Sequence, residues 1–320
     1  MAASGRTSAG VLVSARLVTR ARPGVVLVIG ATGRVGRLVV DELLRAGVPV
    51  RALTRRPELA ALPAGAEVVA GDLTAPESLD VPLQGIGAVF LVWTAAAATA
   101  PAVVARLAAG TSGQPRRVVY LSSPHRTPHP FFQQPNPLRG LHAEVERLLA
   151  AAGVDVVTLR PGMFASNVLH WWAPQIRNGD VVRWPYGAAE TAPVDERDIA
   201  AAATRALLDD RHVGSDYVLT GPESLSQAAQ VSAIGDAIGR PLRFAELTPD
   251  EFRRETAGTW PASVAEMLLD AWRATLGHPA YVTSAIQEIV GSPARTFHRW
   301  AADNAAAFAR AGPASDAPAG

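Results

Sequence analysis

Polar and apolar positions along this 320-residue chain switch repeatedly between two periods. Short apolar runs rich in Val, Ile and Leu fall at 25–29, 48–53, 67–70, 86–92, 117–121 and 154–159, and read as strands. Between them the spacing becomes helical. Val35, Leu38, Val39 and Leu43 share one face after the first run. An alanine-rich helix follows the fourth run, with Thr99 as its N-cap and Pro101 in its first turn. Asn136-Pro137 opens another helix, with Leu138, Leu141, Val145, Leu148 and Leu149 as its apolar stripe and Gly153 at its end. Strands and helices in alternation predict an α/β fold, a doubly wound parallel sheet covered on both faces.

Beyond residue 159 the pattern is mostly helical. A helix is expected over 165–177, Asp195 caps one that runs to Leu208, and Ser226 caps residues 227–238. Tyr217–Thr220 reads as a strand, so that 193–220 return to the sheet domain. From Gly221 onward the pattern is helical, and Pro293 begins a last amphipathic helix carrying Phe297, Trp300 and Phe308. The expected organisation is a disordered basic tail (1–24), a nucleotide-binding domain (25–165), a smaller helical lobe (166–312) and a frayed tail (313–320). The first tail carries four arginines and no acid.

Composition narrows the chemistry. A formal net charge of +1 gives no reason to expect a nucleic-acid partner. Cysteine is absent, which excludes thiolate nucleophiles and Cys-bound metals and suits a reducing cytoplasm. All 30 basic residues are arginine. Without lysine there is no ammonium and no Schiff base, and arginine stays charged at any working pH. No residue between Val81 and Ala105 is charged, but Pro82, Gly85, Gly87 and Pro101 interrupt the stretch, so no membrane span is expected.

Candidate chemistry gathers at the strand ends. Gly30, Gly33 and Gly36 lie directly after a strand and at the start of a helix, a turn that brings backbone close to a pyrophosphate. Arg55 and Arg56 follow the second strand where an acid would otherwise bind a ribose hydroxyl; they suit a 2′-phosphate, or form a solvated basic turn. Ser122 and Ser123 end the fifth strand. The loop 124–137 holds five prolines, His125, His129 and Phe131-Phe132, with no local acid to complete a metal site. His142 falls within a helical stripe, either as a core residue or facing the ligand cleft. Trp171, Trp172, Trp184 and Tyr186 line an apolar pocket or form the core of the lobe.

With these motifs together, the chain resembles the NmrA-like branch of the atypical short-chain dehydrogenases/reductases. The likeness rests on Gly30-Ala-Thr-Gly33-Arg-Val-Gly36, Gly71-Asp72-Leu73, Leu121-Ser122-Ser123, His142-Ala-Glu-Val-Glu146, Leu159-Arg160-Pro161-Gly162-Met163-Phe164, Val194-Asp-Glu-Arg-Asp-Ile199 and Leu219-Thr-Gly-Pro222. It implies a Rossmann domain with a small substrate lobe. Cofactor contacts are then expected from Gly30, Thr32, Gly33, Arg34, Val35 and Gly36 at the phosphates. Arg55 and Arg56 would meet the 2′-phosphate, and Asp72 and Leu73 the adenine. Trp93, Ser122, Pro161, Gly162, Met163 and Phe164 would lie along the rest of the dinucleotide. Catalytic members of the superfamily carry Tyr-x-x-x-Lys on the helix after the fifth strand. Leu138 and His142 stand at those positions here, so both the phenol and the ammonium are missing.

The function expected from this reading is an NADPH-dependent reductase, preferring NADPH to NADH, that acts on a small apolar or aromatic carbonyl, enone or quinone. Candidate proton donors are His142, Tyr186, Ser123 and His125, and the acceptor pocket is expected from Phe131, Phe164, Asn167, Trp171, Trp184 and Tyr186. The alternatives are a non-catalytic NADP(H) redox sensor and a non-redox cyclase, dehydratase or isomerase. The expected setting is cytoplasmic, as a monomer or homodimer, with no metal and only a small-molecule substrate as partner.

Overall fold

The structure, a computed structural model, describes residues 24–109 and 117–310. Apart from Gly24, the tails expected at 1–24 and 313–320 lie outside the described residues. The first half alternates as β1 (Val25–Ile29), α1 (Arg34–Arg45), β2 (Val50–Thr54), β3 (Ala66–Ala70), β4 (Ile86–Val92), α2 (Ala100–Ala108), β5 (Arg117–Leu121), α3 (Pro130–Gln133), α4 (Pro137–Ala151) and β6 (Asp155–Pro161). The second half runs α5 (Val168–Trp171), α6 (Ala173–Asn178), β7 (Val181–Pro185), β8 (Glu190–Thr191), α7 (Glu196–Leu208), β9 (Asp216–Leu219), β10 (Leu225–Ser226) and α8 (Gln227–Ile238). It ends with β11 (Arg243–Leu247), α9 (Pro249–Thr256), α10 (Ala262–Arg273), α11 (Ala285–Val290) and α12 (Phe297–Asp303).

Seven parallel strands form one sheet in the order β3-β2-β1-β4-β5-β6-β9. The β-branched, nearly uncharged strands pack on both faces. Val28, Phe90 and Val119 meet α1, α7 and α11 on one side. Leu27, Leu91 and Tyr120 meet α2 and α4 on the other. This is the Rossmann arrangement. The order reverses between β1 and β4, and open α/β sheets take their ligands beyond the carboxyl ends of the strands at such a point.

The lobe has its own core, collected from α5, α6, α8, α10 and α12. It also holds strands that the helical pattern hid: β11 pairs in parallel with β7, and β10 antiparallel with β8. Other expectations change for local reasons. Residues 165–177 do not form one helix, because Pro174 restarts the chain at the head of α6. The last helix starts at Phe297 rather than Pro293, since Gly291 in the left-handed region ends α11 and the Arg295 amide donates to Asp198 at 2.7 Å. The Thr99 hydroxyl donates to the Ala96 carbonyl (3.0 Å) instead of capping α2. Leu138 lies outside the buried stripe of α4 and is 55% exposed. The loop 124–137 is not irregular throughout but contains α3.

Candidate active site

Strand β1 delivers Gly30 to the carboxyl end of the sheet in the left-handed region, φ +85°, where L side chains are strained. A Cβ on Gly36 would lie 2.1 Å from the Gly30 carbonyl oxygen, so the turn closes only with glycine there. Helix α1 therefore begins against the end of β1. Its N-cap, Gly33, offers no side-chain cap, and Thr32, Gly33 and Arg34 are exposed. The first-turn amides are thus open at the positive end of the helix dipole, and the turn fits a pyrophosphate. These residues would hold a dinucleotide, whose reduced nicotinamide supplies hydride when bound.

Around the rim, Arg55 and Arg56 are exposed at the end of β2. Asp72 accepts the Thr74 amide at 2.8 Å, and that bond, against a smaller burial effect and helped by Arg55, lowers its pKa. The Leu73 side chain faces into the sheet core, so only its backbone reaches the rim. Trp93 is buried as well, and its indole donates to the Ala95 carbonyl at 2.7 Å. Arg34 reaches across to the lobe, its Nη2 3.0 Å from His170 Nε2 on α5.

Behind the ends of β5 and β6 lies a buried ion pair. Arg160 on β6 is 2% exposed and donates to both carboxylate oxygens of Glu146 on α4, at 2.6 and 2.8 Å. Ser122 donates its hydroxyl to the same carboxylate. His125 is 7% exposed, and its Nδ1 lies 3.1 Å from the Ser123 carbonyl, 3.3 Å from the Ser123 hydroxyl and 3.3 Å from Arg160 Nη1. Its Nε2 faces Glu146 at 3.7 Å. Burial lowers the His125 pKa, opposed in part by Glu146. Ser122 and His125 both contact this cluster, and His125 also borders a cavity that it shares with Arg126, Asn136 and Arg139. Glu146 and Arg160 reach them from α4 and β6, distant in sequence.

His142 lies one turn before Glu146 on the same side of α4, and its Nδ1 is 2.7 Å from the Tyr120 hydroxyl. Burial, against the pull of Glu146, pushes its pKa down to about 4. It is thus neutral near pH 7.

The segment after β6 is pinned from both sides. The Gly162 amide donates to the Leu219 carbonyl (2.9 Å), the Val194 amide donates to the Met163 carbonyl (2.8 Å), and Asn167 Nδ2 lies 3.1 Å from Met163 Sδ. Phe164 packs on the sheet core. Beside this segment a small cavity is bordered by Phe131, Phe132, Gly162, Met163, Thr220 and Tyr281, with free space of about 10 Å³, room for one water. Of the expected pocket residues only Phe131 borders it. Trp184 is 4% exposed and packs against Trp171, Phe252 and Trp272 with ring centroids 5.8, 5.0 and 5.4 Å away. The tryptophans thus build the lobe core. Tyr186, at φ 57°, donates its backbone N–H to Glu246 Oε1 (2.7 Å) and packs on the same core.

The sequence model of the NmrA-like family matches residues 23–290. The chain belongs to this family. It is 40% identical over 289 residues to the (4-alkanoyl-5-oxo-2,5-dihydrofuran-3-yl)methyl phosphate reductase of Streptomyces griseus, covering 89% of this chain and 99% of that one. It is 31% identical over 294 residues to the NAD(P)H azoreductase of Xenophilus azovorans, covering 89% and 100%. Among solved structures, the NADPH-dependent quinone oxidoreductase QOR2 of Escherichia coli superposes with a TM-score of 0.72 at 24% identity, over 87% of this chain and 98% of that one, and shares the fold.

Within this NmrA-like chain, Phe132, Thr220 and Tyr281 are cavity residues that the sequence reading missed. Tyr281 comes from the stretch between α10 and α11, where it lies against His129, ring centroids 6.4 Å apart. The doubled Phe131-Phe132 was a signal for Phe132. For Tyr281 there was none. Among the described residues no helix is long and apolar enough to cross a membrane.

Proposed function

We propose that this protein is an NADPH-dependent reductase that passes hydride to a small, conjugated, mostly apolar acceptor and takes the accompanying proton from solvent. The observation that carries the reading is an open, uncapped phosphate turn combined with exposed Leu138 at the position of the superfamily's acid. Phe131, Phe132 and Met163 put apolar side chains beside the Gly162–Phe164 segment, surroundings that favour an apolar acceptor over a charged one. Arg55 and Arg56 support NADPH over NADH, because two guanidiniums favour a 2′-phosphate.

The relatives supply the reaction class. The name of the Streptomyces griseus protein describes a ring double bond conjugated to both a ring carbonyl and an alkanoyl group. Hydride addition at the ring carbon bearing the methyl phosphate leaves a negative charge shared by two carbonyl oxygens. An enolate of that kind needs no strong acid beside it, and water can later protonate the carbon between the carbonyls. A quinone that accepts hydride becomes a hydroquinone monoanion, which water protonates as readily. The missing phenol and ammonium then restrict the acceptor instead of abolishing the reaction. A cytoplasmic setting and a small-molecule substrate complete the proposal.

The test is to titrate purified protein with NADPH and NADH, then follow oxidation of each against doubly activated enones, butenolides, quinones and aromatic ketones. Turnover confined to the activated acceptors is expected, with NADPH preferred. Tight NADPH binding with no turnover on the whole panel would overturn the reductase reading in favour of a sensor.

A further inference from the structure

Tyr120 is fully buried on β5, beneath α4, with its ring 5.8 Å from that of His142. The 2.7 Å contact between its hydroxyl and Nδ1 has one proton to place. Burial, reinforced by Glu146, pushes the phenol's pKa up, so it keeps its proton. His142 feels Glu146 from the next turn of its own helix, His125 from the loop after β5 and Arg160 from β6, and burial dominates all three. The fully buried hydroxyl has no other acceptor among the described residues, so it donates to Nδ1. The imidazole's own proton is then on Nε2. No described residue accepts from that nitrogen, and it is not among the sealed polar atoms.

We propose that Tyr120 is a positioning residue that locks His142 as the Nε2–H tautomer, making it a fixed, neutral hydrogen-bond donor to an oxygen of a bound ligand. The oxygen is a ribose hydroxyl of the cofactor or the carbonyl of the acceptor. Such a donor differs from an ammonium in three respects. It carries no charge across neutral pH, it cannot depress the pKa of a neighbouring phenol, and a neutral imidazole N–H is too weak an acid to deliver a proton. His142 therefore orients and does not protonate, consistent with a proton drawn from solvent. The tautomer stands on the structure alone; donation to a ligand rests on the reductase reading.

Nitrogen-15 spectra of ligand-free protein, with His142 assigned by its loss in His142→Gln, test the lock. The Nε2–H pattern should persist from pH 8 to 5.5 in the wild type and give way to mixed tautomers in Tyr120→Phe. A charged His142 at pH 7, or an unchanged pattern in Tyr120→Phe, would overturn it. A pair of variants that leaves Tyr120 in place tests the donor. His142→Gln keeps both an acceptor for the phenol and an N–H to offer, whereas His142→Leu keeps neither. The Leu variant should lose about tenfold, and the Gln variant much less, the size of one neutral hydrogen bond. Loss in NADPH affinity identifies the ribose hydroxyl; loss confined to acceptor kcat/KM identifies the carbonyl. Equal behaviour of the two variants in both measurements overturns the donor role. If no acceptor is turned over, the spectra and the NADPH titration still decide.

Discussion

Arg160 and Glu146 are joined by two parallel hydrogen bonds in a space that also takes in Ser122, His125 and the Ser123 carbonyl. The pair ties β6 to α4 and, through Ser122, to the end of β5. Burial works to raise the Glu146 pKa, but the bonds from Arg160 and Ser122 outweigh it and hold the carboxylate ionised.

Removing one partner strands a buried charge. Glu146→Ala should cost about 3–5 kcal/mol, read from chemical denaturation, whereas breaking an exposed pair such as Arg147–Glu144 should leave the denaturation midpoint nearly unchanged. Because the folded pKa is depressed, the contribution of Glu146 is complete above the usual carboxylate range. It is lost as pH falls through the folded value.

Gly36→Ala should remove dinucleotide binding and lower stability by about 1–3 kcal/mol, because the new methyl group meets the Gly30 carbonyl at 2.1 Å. Gly140→Ala on α4, where nothing lies within 4 Å of the added carbon, is the control and should be neutral or slightly stabilising. Calorimetry and a cofactor titration on the two variants separate these outcomes.

Arg55→Ala should weaken NADPH binding about tenfold or more and leave NADH binding nearly unchanged, the difference expected from one charge-assisted contact to a 2′-phosphate. Fluorescence titration with both cofactors checks this. Equal losses would remove the phosphate assignment.

Asp198 behaves oppositely to Glu146. Burial at the head of α7, beside Asp195, raises its pKa to about 6, although the Arg295 amide bond and the Arg295 charge lower it. With the folded value above the unfolded one, its contribution is greatest below about pH 4 and declines as pH rises towards 6. Asp198→Asn keeps an oxygen for the Arg295 amide and should flatten that part of the stability–pH curve. The gain at pH 7 should be on the order of 2 kcal/mol, measured by denaturation at several pH values.

The sheet was legible because its strands are short β-branched runs separated by helical stripes, as in Val25–Ile29 followed by Val35, Val39 and Leu43. The turn at Gly30–Gly36 was equally visible, since its chemistry is confined to a few consecutive residues. Where partners are distant in sequence, reading failed. Ser122 and His125 were placed at the end of β5 and in the loop after it, but nothing beside them reveals Glu146 or Arg160. Tyr120 looked like one more apolar strand residue, although its hydroxyl determines the state of His142. Trp171 and Trp184 have the composition of a pocket, and only packing against Phe252 and Trp272 makes them core. Strands β7 and β11 were hidden for the same reason, since each supplies half of a pair that the other completes.

The two cores are interleaved along the chain. The polypeptide leaves the sheet after β6 to build the lobe, returns for α7 and β9, leaves again through β10–α10, comes back as α11 and finishes in the lobe as α12. No single cut separates one core from the other. The lobe cannot consolidate until its last segment has been synthesised, and the sheet face under α11 waits almost as long. Many of its contacts join distant parts of the chain, an arrangement that slows folding and favours one cooperative unfolding transition over two. The lobe is thus a region of the molecule without being a separable folding unit.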